Sequence, residues 1–164
     1  MRIAIYPGTF DPITYGHIDV VQRAREIFDR VVVAVACTTV KNPLFTPGER
    51  AEMISEVMGR YKNVEVDCFE GLLVRYARLK KATAIVRGLR AVSDFEYEFQ
   101  MALTNRKLDG KIATVFLMPH EKYTYLNSSI IREIALLGGD VSEFVPPGVR
   151  RRLAGKMKSL TKGM

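Results

Sequence analysis

Apolar and polar residues alternate along the chain with two different periods, and the alternation predicts strands and helices in turn. The run Val-Val-Val-Ala-Val-Ala at residues 31–36 is continuously apolar and mostly β-branched, as in a strand covered on both faces. Shorter apolar runs predict four more strands, at residues 2–6, 63–69, 83–86 and 112–118. Segments with helical spacing lie between and after these runs, at residues 16–28, 46 onward, 72–80, 93–106, 128–137 and 146 onward.

Several of the predicted helix ends carry specific signals. Residues 46–49, Thr-Pro-Gly-Glu, combine a capping hydroxyl, a proline suited to the first helical position and a glutamate that completes a capping box. Residues 93–96, Ser-Asp-Phe-Glu, have the same spacing and predict a second capping box. Gly138 and Gly139 predict the end of the helix before them.

Strands that alternate with helices predict an α/β fold, a doubly wound five-stranded parallel sheet. Right-handed crossovers place the helices of such a sheet on both of its faces. Ligands bind beyond the carboxyl ends of the strands, where the strand order reverses. The functional residues are therefore expected in the loops that follow the predicted strands.

Composition favours a single domain over residues 1–164. Hydrophobic residues make up 48% of the chain, enough for a core, and no apolar run approaches the ~20 residues that cross a bilayer. The first apolar run turns at Pro7 and Gly8 and is interpreted as a strand, not a signal peptide, so we expect a cytoplasmic protein. Cys37 and Cys68 are then expected to be reduced residues of the core.

The net charge of +7 is concentrated near the C-terminus. A basic tail from about residue 150 contains six Lys or Arg residues and no acidic one, and the rest of the chain is almost neutral. The favoured interpretation is a solvated helix end followed by a frayed terminus. We therefore expect neither a nucleic-acid partner nor a membrane.

The loop after the first strand has the sequence Pro-Gly-Thr-Phe-Asp-Pro-Ile-Thr-Tyr-Gly-His, residues 7–17. It brings the hydroxyl of Thr9 and the imidazole of His17 to one strand end. His17 also stands at the start of a helix, where N–H groups and the helix dipole favour anions. His17 alone could equally be a helix cap, but the whole segment favours a phosphate site. It matches neither a P-loop nor the dinucleotide-binding G-x-G-x-x-G pattern.

Further polar residues follow the other predicted strands. Arg87 and Arg90 flank Gly88, where two guanidinium groups suit a phosphate or carboxylate, with surface salt bridges as the alternative. Lys41 is either an anion ligand or a solvated lysine. Residues 127–129, Asn-Ser-Ser, open a helix and are either a plain N-cap or a phosphate seat.

Groups for acid–base or covalent chemistry are missing from the sequence pattern. It contains no nucleophile with a paired base, no carboxylate dyad at a useful spacing and no metal cluster. Transfer of a nucleotidyl group to an existing phosphate needs no strong base, because the acceptor is already anionic. Catalysis then consists of orientation and of stabilising charge on the phosphorus oxygens. The sequence pattern therefore favours transfer of a nucleotidyl group to a phosphate.

These motifs resemble those of the bacterial phosphopantetheine adenylyltransferases, which belong to the nucleotidyltransferase superfamily. The resemblance covers the chain to about residue 149 and rests on residues 6–17 and 87–98. The first motif is shared across the superfamily, and the second narrows the match. The resemblance implies a Rossmann-like fold and reversible adenylyl transfer from ATP, with Mg²⁺, to 4′-phosphopantetheine. The products would be dephospho-coenzyme A and pyrophosphate, in coenzyme A biosynthesis.

The resemblance also implies roles for individual residues. The catalytic residues would be His17, Thr9, Lys41 and Arg90. The 4′-phosphopantetheine would contact Thr9, Lys41, Leu73 and Arg87. The ATP site would comprise Thr9, Phe10, His17, Gly88, Leu89, Arg90, Glu98, Tyr123, Thr124, Tyr125, Leu126, Asn127, Ser128 and Ser129.

Enzymes of this kind are homohexamers that coenzyme A inhibits, so the resemblance implies both properties here. Two alternative reactions use the same histidine motif: cytidylyl transfer to an alcohol phosphate and adenylyl transfer to a pyridine mononucleotide. The motif at residues 87–90 favours 4′-phosphopantetheine over both.

Overall fold

The structure, a computed structural model, describes residues 1–38 and 42–162. All the predicted strands and helices are present, with ends shifted by one or two residues at most positions. A 3₁₀ turn, Glu121–Tyr123, adds to the predicted elements. In chain order the elements are β1 Ile3–Gly8, α1 Tyr15–Ile27, β2 Arg30–Ala36, α2 Pro47–Met58, β3 Val64–Phe69, α3 Leu73–Leu79, β4 Ala84–Gly88, α4 Val92–Leu108, β5 Ala113–Leu117, α5 Ser128–Leu136 and α6 Pro147–Lys162.

The five strands form one parallel sheet in the order β3-β2-β1-β4-β5, which confirms the predicted doubly wound fold. The central strand β1 pairs with β2 on one side and with β4 on the other, so Ile5 lies between Val32 and Ile85. The strand order reverses between β1 and β4. Because the crossovers leave β1 and β4 toward opposite faces, a crevice opens beyond their carboxyl ends.

Alternate side chains of the strands build two hydrophobic cores, one on each face of the sheet. On β1, Ala4 and Tyr6 belong to the larger core, whereas Ile5 belongs to the smaller one. Helices α1, α2, α5 and α6 contribute to the larger core, and α3 contributes Tyr76 and Ala77 to the smaller. The sheet is therefore covered on both faces, as its apolar strand sequences predict.

The helix ends confirm one predicted capping box and contradict the other. Thr46 accepts a hydrogen bond from the Glu49 N–H, and the Glu49 carboxylate accepts one from the Thr46 N–H. The prediction for Ser93 is wrong: α4 begins at Val92, with Ala91 at the N-cap and no side-chain cap, so Ser93 lies inside the helix. Its neighbour Asp94 instead forms an ion pair with the loop before the helix. Spacing alone does not distinguish these two arrangements.

Part of the basic tail is packed within helix α6, whereas residues 158–160 near the end of the helix are exposed. Residues at positions i, i+4 and i+8 of α6, namely Val149, Leu153 and Met157, are buried in the larger core. The polar side of α6 faces α2, where Arg152 pairs with two glutamates and Lys156 with a third. Arg152 and Lys156 of the basic tail therefore balance acidic residues of α2.

Cys37 and Cys68 are free thiols and half-buried. In the described part of the chain, no helix combines the length and the apolar character needed to cross a bilayer.

Candidate active site

A cleft of about 700 Å³ lies at the reversal of strand order, beyond the carboxyl ends of β1 and β4. It brings together residues from distant parts of the sequence, from Tyr6 to Arg132. The predicted site residues that line it are Thr9, Phe10, His17, Arg87, Gly88, Arg90, Glu98, Leu126, Asn127, Ser128 and Ser129.

Other predicted site residues lie elsewhere. Leu73 begins α3 and packs against the smaller hydrophobic core. Tyr123 borders a second cavity on the other side of α1, and Tyr125 packs edge-on against Phe144. Leu89 and Thr124 are also absent from the described lining of the cleft. Lys41 lies outside the described residues, and the roles of all these residues stay predictions.

His17 is held at the start of α1 by a reciprocal capping box. Its N–H donates to the Thr14 hydroxyl, and the Thr14 backbone N–H donates to the His17 ring nitrogen Nδ1 at 3.1 Å. Because Nδ1 accepts this bond, the neutral ring carries its proton on Nε2. The sequence indicated either a cap or a phosphate ligand, and the structure shows that Nδ1 serves the cap and that His17 also lines the cleft.

The charge state of His17 follows from its surroundings. Burial, together with the positive charges of Arg90 and Arg87, lowers the pKa of His17 to about 4. The imidazole is therefore neutral at pH 7. A neutral ring with its proton on Nε2 is a hydrogen-bond donor for a phosphate oxygen.

Phe10, in the turn after β1, lines the cleft and belongs to the larger core. The Phe10 ring is 3% exposed and packs edge-on between Tyr6 and His17, with ring centroids 5.4 Å and 5.1 Å away. Its backbone has a φ of +51°, in the left-handed region. A Cβ at Gly8 would meet the Phe10 ring at 2.8 Å, so this close approach requires glycine.

Arg87 and Arg90 are fixed by protein partners at the rim of β4. Arg87 forms a two-point ion pair with Glu98, at 2.7 Å and 2.5 Å, and also donates to the Pro7 carbonyl. Burial opposes the charge of Arg87, but the hydrogen bonds and the charge of Glu98 outweigh it and raise its pKa. Arg90 donates to the Leu126 carbonyl at 2.8 Å.

The carboxylates of the cleft are all engaged within the described residues. Glu98 pairs with Arg87, Asp94 with Arg90, and Asp11 with Arg132 of α5. Arg87 and Arg90 therefore both form salt bridges, the alternative to ligand binding that the sequence left open. These salt bridges are part of the lining of the cleft. A guanidinium has five N–H donors, so a paired arginine still keeps donors for a ligand.

The start of α5 closes the opposite side of the cleft. Asn127 caps the helix, since its side-chain oxygen accepts a hydrogen bond from the Ser129 N–H. The Ser128 hydroxyl donates to the Pro12 carbonyl and ties α5 to the loop after β1. Asn127 is thus confirmed as an N-cap. The helix N-terminus that it caps also borders the cleft, where the helix dipole favours an anion.

Asp11 and Arg132 are among the polar residues of the cleft that sequence reasoning missed. The buried carboxylate of Asp11 accepts hydrogen bonds from the N–H groups of Leu44 and Phe45, at 2.8 Å and 2.9 Å. Arg132 donates to the Asp11 carbonyl and forms an ion pair with its carboxylate. Asp11 was visible within the loop motif, and Arg132 lies one helical turn after Ser128, which is the signal that could have indicated it.

Comparison with known proteins identifies the family to which the chain belongs. The model of the cytidylyltransferase-like family matches residues 5–134. A putative nicotinate-nucleotide adenylyltransferase from Vibrio parahaemolyticus has a similar structure, with a TM-score of 0.63 at 22% identity over 93% of this chain and 99% of that one. A bifunctional NMN adenylyltransferase/ADP ribose pyrophosphatase from Francisella tularensis has a TM-score of 0.68 at 15% identity, over 96% of this chain and 49% of that one. At such identities these two likenesses show the fold alone.

The fold, the site and the family model together define a nucleotidyltransferase with a Rossmann-like fold. The phosphopantetheine adenylyltransferase of Alkaliphilus metalliredigens is 57% identical over 156 residues, covering 95% of this chain and 99% of that protein. The protein of the same name from Caldanaerobacter subterraneus is 56% identical over 158 residues, covering 96% and 99%. The chain belongs to the phosphopantetheine adenylyltransferase family, which confirms the resemblance seen in its motifs.

Proposed function

We propose that the chain transfers the adenylyl group of ATP to 4′-phosphopantetheine, forming dephospho-coenzyme A and pyrophosphate in coenzyme A biosynthesis. One observation supports the reaction type above all: His17, neutral and fixed through Nδ1, offers its Nε2 proton to a cleft at the reversal of strand order. The choice of acceptor is supported by the relatives that bear this name at 57% and 56% identity. The proposal includes a cytoplasmic location, since the reaction consumes ATP.

In the proposed reaction, a phosphate oxygen of 4′-phosphopantetheine attacks the α-phosphorus of ATP. The bond from this phosphorus to the bridging oxygen breaks, and pyrophosphate leaves with the electron pair. The attacking phosphate is already an anion, so no side chain has to remove a proton from it. The remaining requirements are alignment of the two phosphates and stabilisation of the charge that builds on the α-phosphate oxygens.

The residues of the cleft are suited to these two requirements. His17 donates from Nε2 to a phosphate oxygen, and its bond should shorten as charge increases in the transition state. The hydroxyl of Thr9 and the backbone of Phe10 offer further contacts to the phosphates. The N-terminus of α5 and the remaining donors of Arg90 lie on the other side of the cleft, where they suit the nucleotide.

Mg²⁺ enters this proposal as a complex with ATP. Within the described residues, no group of three or more His, Cys, Asp or Glu side chains could hold a metal ion. Asp11, Asp94 and Glu98 are each paired with an arginine, so the cleft offers no unpaired carboxylate among the residues described. The site therefore does not fit a protein-bound Mg²⁺, and we assign the ion to the phosphates of ATP alone.

The homohexamer belongs to the same proposal and is supported by α4. This helix exposes several large apolar side chains, and Leu103, 51% exposed, is one of them; the others are Phe95, Tyr97, Phe99, Met101 and Leu108. An exposed apolar surface of this kind is typical of a subunit interface. Light scattering should give six subunits for the wild type and fewer for Leu103→Glu. Leu136→Glu, at a similarly exposed position on α5, is the matched control.

Inhibition by coenzyme A is proposed to occur in the same cleft, because coenzyme A contains both the pantetheine and the adenylate parts of the product. It should then compete with both substrates. If coenzyme A lowers the rate without raising either KM, it acts at a different site.

Pyrophosphate release tests the proposed reaction directly. The protein is incubated with Mg²⁺ and ATP or CTP, together with 4′-phosphopantetheine, nicotinamide mononucleotide or glycerol 3-phosphate. We expect release with ATP and 4′-phosphopantetheine only. Turnover with another acceptor, and none with this pair, would contradict the acceptor while leaving the His17 site as described.

A further inference from the structure

Arg50, the fourth residue of α2, is fully buried, and its guanidinium is bonded only to backbone carbonyls among the described residues. Its Nη1 donates to the carbonyl oxygens of Thr9 at 2.6 Å and Ala36 at 3.0 Å, and its Nε donates to that of Phe45 at 3.1 Å. One side chain thus joins the turn after β1, the end of β2 and the residue before the α2 cap. These three backbone segments meet beside the cleft.

The buried charge of Arg50 is costly for the fold. No carboxylate among the described residues forms an ion pair with it, and its Nη2 has no hydrogen-bond partner there. An apolar side chain of similar size would fill a buried position at a lower cost in desolvation. Stability alone therefore does not explain an arginine at this position.

The bond from Arg50 to Thr9 acts on the strained part of the site. The Thr9 carbonyl belongs to the peptide bond that leads into Phe10, whose φ of +51° is unfavourable for a residue with a side chain. A 2.6 Å hydrogen bond from a charged donor fixes the plane of this peptide. The orientation of the Thr9 residue, which lines the cleft, follows from that plane.

The hydrogen bonds that Phe45 makes with Arg50 and Asp11 hold the turn after β1 in place. Phe45 is held from both sides, because its carbonyl accepts from Arg50 and its N–H donates to the carboxylate of Asp11. Asp11 itself belongs to the turn after β1. The guanidinium and this carboxylate therefore attach the turn to the segment before α2 at two points.

We propose that Arg50 is a positioning residue for the transfer reaction: it holds the Thr9–Phe10 peptide in the conformation that aims Thr9 at the phosphates. Arg50 is fully buried and is absent from the described lining of the cleft, so it acts through Thr9. This inference rests on the proposed function, in which Thr9 contacts the phosphates.

The test is a double-mutant cycle between Arg50→Lys and Thr9→Ala, read as kcat at saturating substrates. A lysine keeps the charge but loses the fork that reaches three carbonyls. We expect Arg50→Lys to lower kcat on the order of 10- to 100-fold in the wild-type background. In the Thr9→Ala background it should lower kcat by less than about threefold, since the residue that it positions is gone.

Met53→Ala is the matched control for a merely structural effect. Met53 lies on the same helix, is as fully buried as Arg50 and makes none of these hydrogen bonds. It should lower the melting temperature and change kcat by the same small factor with or without Thr9. If Arg50→Lys behaves like Met53→Ala, with equal factors in both backgrounds, the proposal is overturned.

Two further outcomes are informative. If Arg50→Lys does not fold, Arg50→Gln replaces it in the cycle. If neither variant folds, the role of Arg50 is purely structural and the proposal is overturned. If the wild type does not turn over ATP and 4′-phosphopantetheine, the proposed function fails by itself. The same cycle is then read on the Kd for ATP, where additive effects would overturn the positioning role.

Discussion

His17 should titrate far below an ordinary histidine. Its pKa is lowered from 6.5 to about 4, because burial and the charges of Arg90 and Arg87 disfavour the imidazolium. At ~1.4 kcal/mol for each pKa unit, the folded protein resists protonation of this ring by about 3 kcal/mol. In the unfolded chain the same ring binds a proton near pH 6.5. Above pH 6.5 the ring is neutral in both states, and the free energy of unfolding has its full value with respect to this group. As the pH falls from 6.5 toward 4, the unfolded chain binds the proton more readily than the folded protein does, so the free energy of unfolding decreases.

The assay is a titration of the imidazole signals by NMR spectroscopy in the ligand-free protein. The chain has two histidines, so the variant His120→Gln assigns the remaining signal to His17. We expect a midpoint near pH 4 and a higher midpoint when ATP is added, since phosphate charges favour the imidazolium. A ligand-free midpoint between about 6 and 7, the ordinary range for histidine, would refute the lowered pKa of His17 and the burial that causes it.

Four substitutions test other parts of the site and fold. His17→Ala should lower kcat on the order of 100- to 1,000-fold and change the Kd for ATP much less, because the contact strengthens in the transition state; a lost ATP affinity with normal kcat would make His17 a ground-state ligand. Lys41→Ala should raise KM for 4′-phosphopantetheine more than for ATP, and equal increases would remove Lys41 from the acceptor site. Glu98→Ala should cost about 2 kcal/mol in chemical denaturation, since it leaves the guanidinium of Arg87 unpaired; an unchanged midpoint would contradict this. Leu153→Ala should cost about 2–5 kcal/mol, whereas a frayed tail would tolerate it.

The loop at residues 7–17 was readable from the sequence because its chemistry is local. Thr14 and His17 are three residues apart, and a capping box depends only on this spacing and on the start of a helix. Spacing predicted the cap at Thr46 correctly and the cap at Ser93 wrongly, because the N-cap of α4 lies two residues earlier, at Ala91. A pattern of spacing predicts which residues can cap, but the packing of the helix decides where it starts.

Arg87 illustrates a choice that local chemistry leaves open. Its sequence position favoured a ligand over a salt bridge, and the partner that decides, Glu98, lies eleven residues away on α4. Whether Glu98 reaches Arg87 depends on how α4 packs against β5. The structure shows the two functions combined, since the ion pair itself lines the cleft.

The sequence by itself determined the order of strands and helices, because periods of 2 and 3.6 residues record which side of each element is buried. The sequence also determined which side chains in the loop after β1 can donate hydrogen bonds. The strand order β3-β2-β1-β4-β5, the pairing of Arg132 with Asp11 across 121 residues and the burial of Arg50 were decided only by tertiary structure. Such contacts join distant segments, and their free energy depends on the packing of whole elements, which no local pattern contains.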